Sequence, residues 1–229
     1  MAALRSASML ICVFILLASH SGQVRSDERL DALNSRIASL LSARQLDQAE
    51  PLLRSALEIE QQVFGPGSLQ VATRLSTLGR VLLEQDSKRY NEAEPLIRRA
   101  LALHEKHLGS EHSDVADDLA DLARVLQGTN RLAEAEPLMR KALVIIERAF
   151  GPEHPRTLVA LTDLANVLHD QGSFGEAEAL YSRALMIAER SYPVGHPYVA
   201  ACRNKLAEVL RATGRPVEAD AVMRRGGGN

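Results

Sequence analysis

Three of the chain's seven histidines stand in a pattern. His112, His154 and His196 each close a short turn, "GSEHS", "GPEHP" and "PVGHP", and Pro155 and Pro197 directly follow two of them. Imidazoles beside glutamates have the chemistry to ligate a metal or move protons. A zinc site, however, needs several ligands within a few ångströms, whereas equivalent positions in stacked helix pairs are on the order of 10–20 Å apart. Proline fits a first helical turn, where no amide hydrogen is needed. The residue before it is driven extended, as a helix-capping position requires. The three histidines therefore read as joints between helices. "HEKH", from His104 to His107, places its histidines at i and i+3, while a zincin helix needs i and i+4 with a glutamate between them as base; it reads as part of an outer helix. Asp117, Asp118 and Asp121 read as a solvated helix face. The sequence offers no phosphate-cradling glycine loop, no nucleophile elbow and no catalytic constellation, so it implies no enzyme, no metal and no cofactor.

The elements that carry these residues repeat. "QAEPLLRSALEIEQQVFGPGS" begins at Gln48, "EAEPLIRRALALHEKHLGSEHS" at Glu92, "EAEPLMRKALVIIERAFGPEHP" at Glu134 and "EAEALYSRALMIAERSYPVGHP" at Glu176, and "EADAVMRR" opens a fifth copy at Glu218. Ala49, Ala93, Ala135, Ala177 and Ala219 are spaced by 44, 42, 42 and 42 residues, the longer first step falling in the turn around "EQDSKRY", where insertion is cheap. Between the copies runs a second repeated segment, from Val71, Val115, Leu158 and Val199. Its leucines, for example Leu161, Leu164 and Leu168, fall at i, i+3 and i+7, one apolar stripe on a helix. Leu138, Ala142, Ile145 and Ile146 make the matching stripe on the other helix. Neither stripe is buried by its own helix, so each unit is an amphipathic pair that must stack on its neighbours. Gly79, Ala123, Ala165 and Ala207 supply the small residues where helices would cross closely.

The composition agrees. The chain is 46% hydrophobic but only 3% aromatic and rich in Ala and Leu, which favours helix over strand. A net charge of −2 gives no nucleic-acid footprint. The first 22 residues differ: Arg5 precedes ten apolar residues, Met9 to Ala18, and then small polar ones, with Ser19 and Ser21 suited to cleavage. That order is a signal peptide's, too short to span a bilayer comfortably. The expected layout is a signal peptide (or uncleaved N-terminal anchor) over 1–22, a repeat domain over 23–225 and a flexible tail over 226–229. Export to the periplasm or secretion follows, with membrane anchoring as the alternative. Cys202 would be the one cysteine left, and it reads as a small buried residue.

Small residues at relative positions 8, 20 and 27, and bulky ones at 4, 7, 11, 17 and 24, resemble the tetratricopeptide repeat, whose usual period is about 34 residues. The 42-residue period with "EAEPL…RAL…E…GPEHP" resembles the kinesin-light-chain type, over roughly Leu46 to Arg225. The resemblance implies an all-α, right-handed α-solenoid of about five antiparallel helix pairs. It also implies a concave groove, lined by the first helix of each unit, in which a partner peptide lies. Position by position, the lining would be Thr73, Ser76 and Arg80, then Asp117, Arg124 and Gln127, then Thr162, Asn166 and His169, and then Asn204, Glu208 and Arg211. Asn166 matches a family asparagine that holds peptide backbone, and Arg80 and Arg124 would take acidic groups of the peptide. A non-enzymatic scaffold for a protein or peptide partner is the expected function. The alternative is self-association through the incomplete fifth unit, where Leu206, Leu210 and Val222 would form an apolar edge.

Overall fold

The computed structural model describes residues 28–85, 89–193 and 195–224, and within them every regular element is a helix. The signal-peptide and tail segments lie outside the described residues. A helix over 28–42, α1, is followed by α2 (Leu46–Phe64), α3 (Leu69–Gln85), α4 (Tyr90–Leu108) and α5 (Ser113–Gly128). After these come α6 (Leu132–Phe150), α7 (Pro155–Asp170), α8 (Phe174–Ser191), α9 (Pro197–Ala212) and α10 (Pro216–Arg224). Each helix packs mainly against its chain neighbours, as expected when amphipathic pairs stack in sequence order. The five pairs are α1/α2 through α9/α10. The divergent first helix still buries Leu30, Ile37 and Leu40.

The apolar stripes are the core. Leu75, Leu78 and Leu82 on α3 are buried, as are their counterparts on α5 and α7. On α6 the buried face runs through Ala135, Met139, Ala142, Ile145 and Ile146. Leu138 is only half-buried beside it, because it lies one step around the helix from Met139. The small crossing residues do what their size allows: a Cβ on Gly79 would stand 2.5 Å from Ile97 Cγ1. At α10, which is nine residues long in the described chain, the structure departs from expectation. Leu206 and Leu210 are buried rather than forming an open edge, since α10 is long enough to cover them. The apolar residues turned outward there are Val217 and Met223.

The repeated turn has a fixed construction. Gly65, Gly109 and Gly151 take φ of +84°, +87° and +99° directly after α2, α4 and α6, a conformation that side chains with a Cβ resist. Three residues later in the regular copies, His112 and His154 stand extended, and His196 does the same in the fourth. Their Nδ1 atoms accept from the backbone N–H of Asp114, Arg156 and Tyr198 at 3.2, 3.1 and 3.2 Å. An imidazole thus serves as the N-cap, satisfying one of the amides that a helix start leaves unpaired.

Candidate functional site

The first helices α3, α5 and α7 turn polar residues to one side, and between them, over α6, lies a cavity of about 250 Å³. Its floor is apolar: Met139, Ala142 and Ile146 of α6, flanked by Ala116, Ala120, Val159 and Ala160. Its polar lining holds equal numbers of opposite charges, Arg80, Arg124 and Arg156 against Asp117, Asp121 and Asp163.

These charges are not equally committed. Arg156 Nη2 donates to both oxygens of Asp117 at 2.7 Å, and its guanidinium lies 4.6 Å over the Phe150 ring. Arg124 donates to Asp121 Oδ1 one helical turn back. Asp121 is buried, and its Oδ2 and Arg124 Nε have no hydrogen-bond partner among the described residues. Burial pushes the Asp121 carboxyl up against the pull of Arg124. Burial likewise raises Asp163 to about 6, with Arg124 opposing the rise and Asp121 adding to it. Arg80 and Asp163, from α3 and α7, complete the lining, and neither makes an ion pair among the described residues.

Of the residues expected to line a groove, Arg80, Asp117 and Arg124 meet at this cavity. The others stand on α3, α5, α7 and α9, outside it and none of them buried. Ser76 and Asn204 keep their places on α3 and α9 as polar surface. Gln127 donates to Asp170 one unit on. Asn166 Oδ1 already accepts from the Tyr181 hydroxyl at 2.7 Å, so its amide N–H groups are what it has left for a ligand. Thr162 donates to the Leu158 carbonyl at 2.9 Å. His169 lies edge-on to Phe174, with ring centroids 5.3 Å apart. Glu208 pairs with Lys205 at 3.2 Å, and Arg211 with Asp220 at 3.1 Å.

One expectation is corrected. Asp118 and Asp121 are not a solvated face: both are buried, and only Asp117 is partly exposed. His104 stands on the outer helix α4 but faces inward. It is buried, and its Nδ1 lies 2.6 Å from Asp118 Oδ2, while its Nε2 is 3.4 Å from Thr73 Oγ1. The physical reason is register. Asp118 falls fourteen residues after His104, the spacing at which Arg74 meets Glu60 at 2.7 Å one unit earlier. At the next two junctions the corresponding pairs are Ile146 with Ala160 and Ala188 with Cys202. One slot between units is thus polar in the first two copies and apolar in the last two. The Cys202 thiol there is buried and pushed up by that burial, with Thr162 pulling the other way. A thiol in that state is a poor nucleophile.

Asp163, Arg156 and Val159 were not among the expected lining residues. The signal for Asp163 is present in the repeats: it stands 42 residues after Asp121, at the position where the outer copies carry Thr77 and Lys205. An acid repeated only in the two middle units, beside a leucine of the core stripe, is forced toward the interior.

A solenoid of helix pairs with small residues at its crossings defines a class of repeat protein, and sequence comparison places the chain within it. The tetratricopeptide repeat profile matches residues 28–88, 82–143, 119–190 and 159–226, and the chain belongs to the tetratricopeptide repeat family. No curated protein matches it by sequence. Among solved structures, it is similar to the kinesin light chain nearly identical TPR-like repeats of Podosopora anserina. The TM-score is 0.70 at 23% identity, over 86% of this chain and 92% of that one. BtubC (BKLC) from P. vanneervenii is similar with a TM-score of 0.74 at 22% identity, over 86% and 80%. The apo form of RapI gives 0.72 at 16%, over 86% and 69%. At these identities the likeness is one of fold.

Proposed function

We propose that the chain is a non-enzymatic interaction scaffold that holds an extended segment of a partner protein across its first helices. The observation that carries this reading is the cavity between α3, α5 and α7, an apolar floor rimmed by charges that are not all spent on one another. Such a combination suits binding, where apolar area supplies affinity and a few placed polar groups fix orientation. Arg80, without an ion-pair partner among the described residues, is the natural seat for an acidic group of the segment. Arg124 is held by Asp121 and contributes field rather than a free fork. Val159 is 43% exposed at the cavity, so Val159→Trp fills the site without disturbing the core. Affinity capture by the wild-type chain, with mass spectrometry, should retain a partner that Val159→Trp loses at unchanged helicity and melting temperature. Equal retention by both proteins would overturn the groove as the binding site.

Self-association is the second reading. Val217 is 75% exposed and Met223 38%, both on the short last helix. They suit stacking against a second copy, because exposed apolar side chains on one helix bury area when they meet. Dimerisation that grows with concentration in size-exclusion chromatography, and disappears in Val217→Glu, would support it.

The N-terminal segment supports export of the mature domain. Residues 1–22 fused to an enzyme active only outside the cytoplasm should yield activity; none would argue for retention.

A further inference from the structure

We infer that the cavity between α3, α5 and α7 is a socket for a lysine or arginine side chain of the bound segment, an inference that rests on the groove reading above. The argument begins with what the charges lack. Arg156 is spent on both oxygens of Asp117 and Arg124 on one oxygen of Asp121. Asp163 is left with no donor among the described residues, and Asp121, only 4% exposed, keeps Oδ2 unpartnered. The Asp121 oxygen is shielded from water and costly until a donor reaches it, and the half-buried Asp163 carboxyl stands on the same cavity wall without one. The missing partner is therefore one that donates and carries positive charge.

The floor fits the same occupant. Ala120, Met139, Ala142, Ile146 and Ala160 offer a methylene stem an apolar bed, on which long basic side chains lie while their heads seek a carboxylate. The volume of about 250 Å³ is below the usual range of about 300–1,000 Å³ for drug-sized ligands and suits one long side chain. The two uncommitted charges also give the socket a direction. Arg80 enters from α3 and Asp163 from α7, so the basic residue of the segment points to the α7 side and its acidic neighbour to the α3 side. An acidic side chain at Asp163 would meet repulsion from Asp121 as well.

The charged groups sharing the cavity with Asp163 are Asp117, Asp121 and Arg124 on α5, Arg156 on α7 and Arg80 on α3, while α6 presents only apolar residues to the cavity. In the empty socket burial holds the Asp163 carboxyl at about 6. A cation binds the ionised form, so affinity for a basic segment should be steady above that pH and fall below it, approaching about tenfold per pH unit.

The test uses the full chain and a random twelve-residue peptide library displayed on phage, with recovered peptides synthesised. The expected result is a lysine or arginine at one register. Its replacement by norleucine should weaken binding tenfold or more. Asp163→Asn should weaken the basic peptide by a similar factor and leave the norleucine peptide unchanged. Circular dichroism and thermal melting of Asp163→Asn verify its fold, and Asp163→Ala provides a second variant. Peptides that bind, are lost in Val159→Trp, yet show no basic preference and ignore Asp163→Asn overturn the socket while the groove stands. Failure to recover peptides, or recovery of peptides that Val159→Trp does not affect, overturns groove and socket together.

Discussion

His154 shows how one residue's role follows from which atom is already engaged. Its Nδ1 accepts from Arg156 N–H at 3.1 Å, so the imidazole holds a helix start in place of the usual serine or aspartate. His154→Ala should cost about 1 kcal/mol, and His154→Asn should recover most of it, since asparagine is a strong N-cap; urea denaturation of the three proteins measures this. Asp163 presents the opposite case, a carboxyl whose native environment favours the proton. Its native value is about 6 against an ordinary 3.8. The folded state therefore binds the proton more tightly, and this site's contribution to stability is largest in acid and declines as pH rises from about 3.8 to about 6. Asp163→Asn should accordingly stabilise the chain at pH 7 by about 1–3 kcal/mol, with little effect at pH 3. Equal melting shifts at both pH values would contradict the burial assigned to it. Glu60 is a third instance. Removing it by Glu60→Ala leaves Arg74, 14% exposed along its side chain, without its buried partner, at an expected cost of about 3–5 kcal/mol. Two junctions along, the same slot holds Ile146 and Ala160. The double change Glu60→Ile with Arg74→Ala should therefore cost less than Glu60→Ala alone.

At the scale of helices, distance of approach is set by pairs rather than by single residues. Gly79 faces Ile97, and the equivalent Ala123 stands where Met139 occupies the Ile97 position. A methyl on Gly79 meets a β-branched side chain that has little rotamer freedom, so Gly79→Ala should destabilise by about 1–3 kcal/mol. Adding Ile97→Met reproduces the arrangement of the next unit and should recover part of the loss; additivity in the double-mutant cycle would refute the coupling. The helices themselves were legible because the apolar stripes and small residues recur in register, and even the joint histidines could be recognised from their place before Pro155 and Pro197. The polar contacts were less legible. Asp118 looks like surface when α5 is read alone, and becomes interior only when α4 brings His104 against it. Asp163 enters the cavity for the same kind of reason, because the neighbouring α5 and α6 close around it. Helix faces follow from one segment, whereas burial of a charge depends on two or three.

Across the whole molecule, the outer helices are riveted by a repeated ionic clamp. Arg89 donates to Glu50 of the preceding unit at 2.6 Å and to Glu92 of its own at 2.9 Å. Arg131 joins Glu94 to Glu134, and Arg215 joins Glu178 to Glu218, in the same way. The Arg89 guanidinium holds the Glu50 carboxyl at about 2, well below its ordinary 4.5. That depressed value means the stabilisation is complete above about pH 4.5 and is lost as pH falls through about 2. Arg89→Gln should therefore flatten the acid limb of a urea-midpoint profile taken from pH 7 to pH 2. An unchanged limb would show that the clamp contributes nothing measurable.

The fourth copy breaks the pattern. Ser173 occupies the position of those arginines; Gln171 donates across the joint to the Leu132 carbonyl at 3.1 Å, and Arg140 joins Glu136 to Glu176. The joint between α6 and α8 lies behind the half of the cavity that Asp163 closes, and it is held by Arg140 with Glu176 and Arg183 with Glu147 in place of the clamp arginine. A pull along the solenoid that opened this joint would widen the cavity with every helix still wound.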